Sequence, residues 1–309
     1  MVTEVRIEGG NLSGTVVEDV PGGQVLGAGF NPLIHSMFPA QNVFLDKAIG
    51  LNFEHILNGA ARDKGINQFM PRRDRCSIRR LGEAAVSVLH AAEDSTWGIE
   101  SEMRYALSGG DAIDLTFSAC AREERFPLGY VAFMWASYMN RTRERRIHFY
   151  GEVDGQEGWV SFGDETPGGF ETGTVSAAGV PDLPYEEGAE TLNVIENARK
   201  KFVYPFYYGL VDGDGRLETT DDTMVYVMMF DQRDPVRFAM WNFHRDVRGQ
   251  PDPHSPAWDW QFVIRNPVAG RQYGYRARVV YKPFAGCEDV AGEYQRWCAE
   301  LARKDGWDG

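Results

Sequence analysis

The feature that most constrains this chain is a strict alternation with a period of two. In the segment Gly98–Leu107, Ile99, Ser101, Met103, Tyr105 and Leu107 fall on one side of an extended backbone, and Glu100, Glu102 and Arg104 fall on the other. Successive side chains of a strand point to opposite faces, so this pattern predicts a half-buried antiparallel strand. Comparable runs recur at Glu4–Ile7, Ser13–Val17, Ala84–Ala91, Ala112–Ala119, Tyr130–Ala136, Arg146–Tyr150 and Trp159–Phe162. They resume at Phe202–Leu210, Met224–Phe230, Val236–Phe243, Trp258–Ile264 and Tyr273–Tyr281. Met224–Phe230 is apolar at every position, as a strand covered on both faces must be. Strands do not alternate with helices, which argues against a parallel α/β sheet.

Two helices are expected. One runs over Glu190–Phe202, with Leu192, Ile195 and Ala198 as its apolar positions, and the other over residues 288–303. In the second, Val290, Tyr294, Trp297 and Leu301 form an i, i+4, i+7, i+11 stripe that docks on a sheet. The predicted fold class is all-β, a large antiparallel β-sandwich with a few peripheral helices. Residues 1–309 are read as one domain, because large sandwiches use such lengths undivided. Residues 27–75, where Gly, Asn, Pro and His interleave with aromatics, are expected to form an irregular functional loop region.

Composition bounds the partners. The chain carries 45 acidic against 32 basic residues, a formal charge of −13, which disfavours nucleic acid and anionic membranes as partners. No apolar run approaches the ~20 residues of a membrane span. The start MVTEVRIEGG has no basic-then-apolar leader pattern, so a cytoplasmic location is expected. Cys76, Cys120, Cys287 and Cys298 lack metal-finger spacing and are expected to be free buried thiols.

Four segments could carry chemistry. In Asn52-Phe-Glu-His55, Glu54 and His55 could divide acid and base work, with Asn52 binding substrate. On a regular strand Asn52 and Glu54 share a face and His55 points away, so they meet one ligand only if the segment bends, which Asn58-Gly59 permits. The alternative is an ion-paired Glu54 and a packed His55. In Arg146-Ile-His-Phe-Tyr150, Arg146, His148 and Tyr150 share one strand face, suited either to hydroxyl recognition or to solvent. Trp241, His244, Trp258 and Trp260 near Asp259 resemble the rings and acid of a sugar site, or equally a β-core corner. Arg72 and Arg73 could clamp a ligand from the loop region, or form a charged turn. The expected catalytic group is Glu54, His55 and His148, with Asp259 as a fourth member. The expected substrate contacts are Asn52, Arg72, Arg73, Arg146, Tyr150, Trp241, His244, Trp258 and Trp260. No P-loop, dinucleotide fingerprint, nucleophile elbow or HExxH motif is present. No cofactor is predicted, while a divalent metal bridging distant histidines such as His55 and His148 stays open.

The many strands, the late run Tyr273-Gly-Tyr-Arg-Ala-Arg-Val-Val-Tyr-Lys-Pro-Phe284 and the closing amphipathic helix together resemble the galactose-mutarotase-like supersandwich, the layout of aldose 1-epimerases. The resemblance implies a small carbohydrate on a concave sheet face. The family's Asn-His motif is absent, so no catalytic residue is carried over. Three functions follow: an acid–base carbohydrate enzyme (epimerase, or glycosidic-bond hydrolase or lyase), a non-catalytic carbohydrate-binding or accessory protein, and a metal-dependent sugar isomerase or lyase.

Overall fold

The computed structural model describes residues 4–18, 27–61, 68–167, 169–191, 194–197, 199–214, 216–218, 221–242, 249 and 252–304. The strands are β1 (Glu4–Gly9), β2 (Leu12–Glu18), β3 (Ala28–His35), β4 (Asn52–Leu57), β5 (Ser77–Arg80), β6 (Ala85–His90), β7 (Ile99–Leu107), β8 (Ala112–Ala121), β9 (Tyr130–Ala136) and β10 (Ile147–Val153). They continue with β11 (Gln156–Phe162), β12 (Glu165–Thr166), β13 (Gly169–Phe170), β14 (Gly173–Ser176), β15 (Lys200–Phe202), β16 (Phe206–Asp212), β17 (Thr223–Phe230), β18 (Val236–Trp241), β19 (Ala257–Arg265) and β20 (Gln272–Pro283). One helix, α1 (Cys287–Lys304), closes the described chain.

Two sheets make the sandwich. The larger has ten strands in the order β11-β10-β16-β17-β20-β8-β7-β6-β5, with β15 pairing off β10, and the smaller has five in the order β14-β18-β19-β9-β4. Every named strand pairing within them is antiparallel. Alternation decides what lies between. Trp258, Trp260, Phe262 and Ile264 of β19 meet Tyr105, Leu115, Phe117 and Tyr275 of the large sheet in the main core. Trp135 stacks on Trp260 at 5.4 Å with ring planes 5° apart. β17 is buried on both faces, as its unbroken apolar run requires, because α1 packs across β16, β17 and β20 through Val290 and Trp297.

Three expectations need correction. Glu190–Phe202 is not helical: its described residues form turns, a parallel bridge from Glu196 to Thr174, and β15. Leu192 and Ala198 lie outside the described residues. The segment 27–75 is not simply irregular, since it contributes β3 and β4. Of the four free cysteines, Cys76 and Cys120 are buried, but Cys287 and Cys298 are only half-buried. No helix among the described residues is long and apolar enough to cross a membrane.

Candidate functional site

The outer face of the small sheet gathers polar groups that a sandwich exterior rarely buries. In β19, the alternation that sends the tryptophans inward turns Ala257, Asp259, Gln261 and Val263 outward. Their partners across β18 are Trp241, Ala239 and Arg237. On the other side, Ala136 and Met134 of β9 lie opposite Asn52 and His55 of β4. Between Phe53 and His55 the register slips by one residue, with Glu54 as the extra residue. A bulge re-aims the side chains around it. Here it brings Asn52 and His55 onto one face, which a regular strand forbids. The bend that brings these side chains together therefore lies within the motif, ahead of the separate bend at Gly59.

Glu54 is 2% exposed, and its carboxylate has two donors. The Arg72 guanidinium bonds Oε1, and the Tyr138 hydroxyl donates to Oε1 and Oε2 at 2.9 and 3.1 Å. Arg72 reaches in from the turn after Gln68, lying over the Phe69 ring at 4.6 Å, and Phe69 meets the His55 ring edge-on at 4.3 Å. Burial pushes the Glu54 carboxyl above its ordinary range, while Arg72 and Tyr138 pull it back. Asp259, 2% exposed, is pushed up further by burial and by the charge of Glu54. Only the Ser137 amide, donating to Oδ1 at 3.1 Å, pulls it back. Two neighbouring buried carboxyls do not both ionise readily. Glu54 has a guanidinium and a hydroxyl as donors, whereas Asp259 has one backbone amide, so Glu54 is the better supported of the two as a carboxylate.

His55 is driven down to about 3, first by burial and then by Arg72. It is a neutral imidazole at neutral pH, and its 3.9 Å approach to Glu54 is not an ion pair.

The other expected residues divide sharply. Asn52 is fully buried beside the cluster, against Gly27, whose φ of +132° and lack of a side chain leave room for the Asn52 amide. Trp241 joins Tyr138, Met134, Ala136, Ala239 and Ala257 in one apolar patch on this face. Trp258 and Trp260 do not reach it. Both are fully buried in the core, their indole nitrogens donating to the Arg145 carbonyl and to the Tyr275 hydroxyl at 2.9 and 2.7 Å. One strand face cannot serve core and ligand together, and the indoles took the core. Arg73 is exposed, outside the cluster. His244 lies outside the described residues.

Arg146, His148 and Tyr150 do share a strand face, but it is the outer face of the large sheet, on the far side of the sandwich. The His148 Nε2–H donates to the Glu144 carboxylate at 2.7 Å, and the ring stacks on Tyr208 at 5.0 Å. Arg146 pairs with Glu144 and Asp164. Tyr150 packs beneath α1. A catalytic group joining His148 to Glu54 and His55 is therefore ruled out, as is one metal ion bridging His55 and His148. Among the described residues, Asp212, Asp214 and Asp222 bring carboxylate oxygens within 4.8 Å of one another, but Arg143 already bonds Asp222 and lies 3.2 Å from Asp212.

Tyr138 is the residue the sequence reading missed. It follows Ala132, Met134 and Ala136 at the same parity just past β9, which is the signal that could have found it. Arg237 was missed too. It is 2% exposed, and it bonds Gln261, Thr174 and the Val194 carbonyl at 2.6–2.8 Å while pairing with Glu196 at 3.1 Å. That network closes the β14 end of the face and leaves the Glu54 end as the candidate site.

No protein-family model matches this chain, and no curated protein sequence does. Solved structures with a similar layout include an aldose epimerase homologue from C. elegans, with 11% identity, a TM-score of 0.48, and 91% of this chain and 99% of that one covered. A galactose mutarotase-like protein from Lactobacillus casei has 10% identity and a TM-score of 0.47, over 90% of this chain and 99% of its own. The galactose 1-epimerase from Lactobacillus acidophilus has 9% identity and a TM-score of 0.43, over 91% and 98%.

Proposed function

We propose that this protein is an enzyme acting on a small sugar through the carboxyl pair Glu54 and Asp259. The observation that carries the reading is the pair itself: two buried carboxyls on one sheet face, both pushed upward, with unequal partners. Pairs whose surroundings push their proton affinities apart divide acid and base work. Glu54, held as a carboxylate by Arg72 and Tyr138, is the base, and Asp259 is the acid. Trp241 offers a ring for the C–H face of a sugar, and Asn52 offers an amide for its hydroxyls. In an epimerisation at the anomeric carbon, Glu54 takes the hydroxyl proton while Asp259 protonates the ring oxygen. The ring C–O bond breaks, the carbonyl carbon rotates, and reclosure with the protons returned gives the other anomer. Glycosidic-bond cleavage would use the same acid on the leaving oxygen.

The test follows anomer interconversion of a panel of aldoses by NMR exchange, alongside reducing-end release from a panel of glycosides. Losing one general acid or base costs about 10²–10⁴-fold in rate. Glu54→Gln and Asp259→Asn should each fall by that order while remaining folded, and His148→Ala should leave turnover unchanged. Saturable sugar binding with no turnover in either assay would replace this reading with that of a carbohydrate-binding protein.

A further inference from the structure

A hollow of about 300 Å³ lies on the opposite side of the sandwich from Glu54, between α1 and the large sheet. Its walls are the rings of Tyr150, Trp159, Tyr204, Phe206 and Tyr294, with Glu288 at the rim. Topology explains the gathering. Tyr150 and Trp159 are cross-strand partners of β10 and β11. Tyr204 and Phe206 lead into β16, and Glu288, Ala291 and Tyr294 share one helix face at steps of three. The small Ala291 between the two larger side chains leaves the space open.

The rings are tilted against one another and form no single flat platform. Tyr150 meets Trp159 at 85° and Trp159 meets Phe206 at 64°, while Tyr204 and Tyr294 lie at 44° and Phe206 and Tyr294 at 35°. Centroid separations of 5.0–6.3 Å join all five in one cluster. A sugar stacks on one flat open ring face. Five aromatic rings lining one hollow, with a carboxylate at its rim, are the side chains that attract a cation, above all a quaternary ammonium. No lysine or arginine lines the hollow, and Glu288 forms no ion pair among the described residues. Glu288 and Asp289 in the first turn also offset the positive end of α1. Tyr204 is 48% exposed, so the hollow opens to solvent. The net charge of −13 draws cations to the molecule.

We propose that this aromatic hollow is a binding site for a small organic cation carrying a methylated ammonium group. It is separate from the Glu54 face and independent of the reading given to it.

The test uses the full chain with choline as probe and 3,3-dimethylbutan-1-ol as its uncharged isostere, followed by titration calorimetry and by broadening of the probe's methyl NMR signal. Choline should bind saturably, and the isostere at least about tenfold more weakly, since the ring–cation attraction is what it lacks. Glu288→Gln should weaken choline several-fold with little effect on the isostere. Tyr204→Ala, at an exposed ring that can be removed without opening the core, should weaken choline likewise. Both variants should leave sugar turnover at the Glu54 face unchanged. Equal affinity for choline and its isostere would overturn the proposal in favour of a merely apolar crevice. Absence of choline binding, or binding indifferent to both substitutions, would overturn it outright.

Discussion

At the scale of single residues, two histidines store a pH dependence of stability. Burial drives His55 down to about 3 and His90 to about 4, against an ordinary value of 6.5. Unfolding returns both to water, where they bind protons that the folded chain refuses. Between pH 6.5 and those depressed values the unfolded chain therefore holds more protons, and stability falls as pH falls. Each histidine contributes a slope of at most about 1.4 kcal/mol for each pH unit. Glu54 and Asp259 act in the opposite sense: raised in the folded state, they hold protons that the unfolded chain gives up, so their contribution declines as pH rises through their raised range. Because the histidines and the carboxyls oppose one another, the native slope is a difference; from pH 7 down to pH 4 the urea midpoint of His90→Asn should fall less, or rise more, than that of the native chain. An unchanged slope in His90→Asn would show that His90 binds its proton equally well in the folded and unfolded chain, against the depression by burial. The sequence could nominate Glu54, His55 and Asp259 because their chemistry is written in their identity. It could not announce that His55 is neutral, because that depends on Arg72 and on burial, neither of which is local to the motif.

At the scale of elements, parity was legible and its polarity was not. The reading set Trp258 and Trp260 on one side of β19 and Asp259 and Gln261 on the other, and the strand does this. Which side meets the core is decided by the large sheet, through partners such as Trp135 and Tyr275 that lie far away in sequence. The same distance effect hid the bulge at Glu54 and undid the helix expected over Glu190–Phe202. There Ile195 is 53% exposed, while Glu196 turns inward to meet Arg237. A buried guanidinium in need of a carboxylate outweighs helical periodicity in a short segment. One element-level contact allows a sharp test. Gly209 of β16 faces the Trp258 ring across the core, and a Cβ there would lie 2.2 Å from it. Overpacking of this kind costs about 1–3 kcal/mol. Gly209→Ala should lower the free energy of unfolding by that amount, seen as a lower urea midpoint with an unchanged dependence on denaturant. A fully stable variant would mean that the indole has room to retreat.

At the scale of the whole molecule, the sandwich separates two kinds of surface. The small sheet turns buried acids outward at one end and seals the other with Arg237. The large sheet covers its outer face with α1 and aromatic rings. That division explains why residues adjacent in a motif list, such as Glu54 and His148, never meet, and why residues 205 positions apart, Glu54 and Asp259, feel one another's charge. Thirteen of the twenty strands and the closing helix were legible because period two and the helical stripe are local patterns, whereas β3, β4, β5 and the short β12 to β15 were not. The pairing order of the strands was not, since it is fixed by contacts between segments far apart in the chain. The parallel pair Trp135 and Trp260 joins the neighbouring interior strands β9 and β19 of the small sheet. Two indoles held 5.4 Å apart with nearly parallel planes do not absorb independently. Their strong ultraviolet transitions mix, and a chiral protein converts that mixing into a pair of circular dichroism bands of opposite sign. The molecule thus carries a built-in optical gauge of whether its core is locked. Trp260→Phe should erase the bands while the β-sheet signal persists, and on heating the native protein they should vanish as soon as the rings slip out of register, even where the strands remain paired.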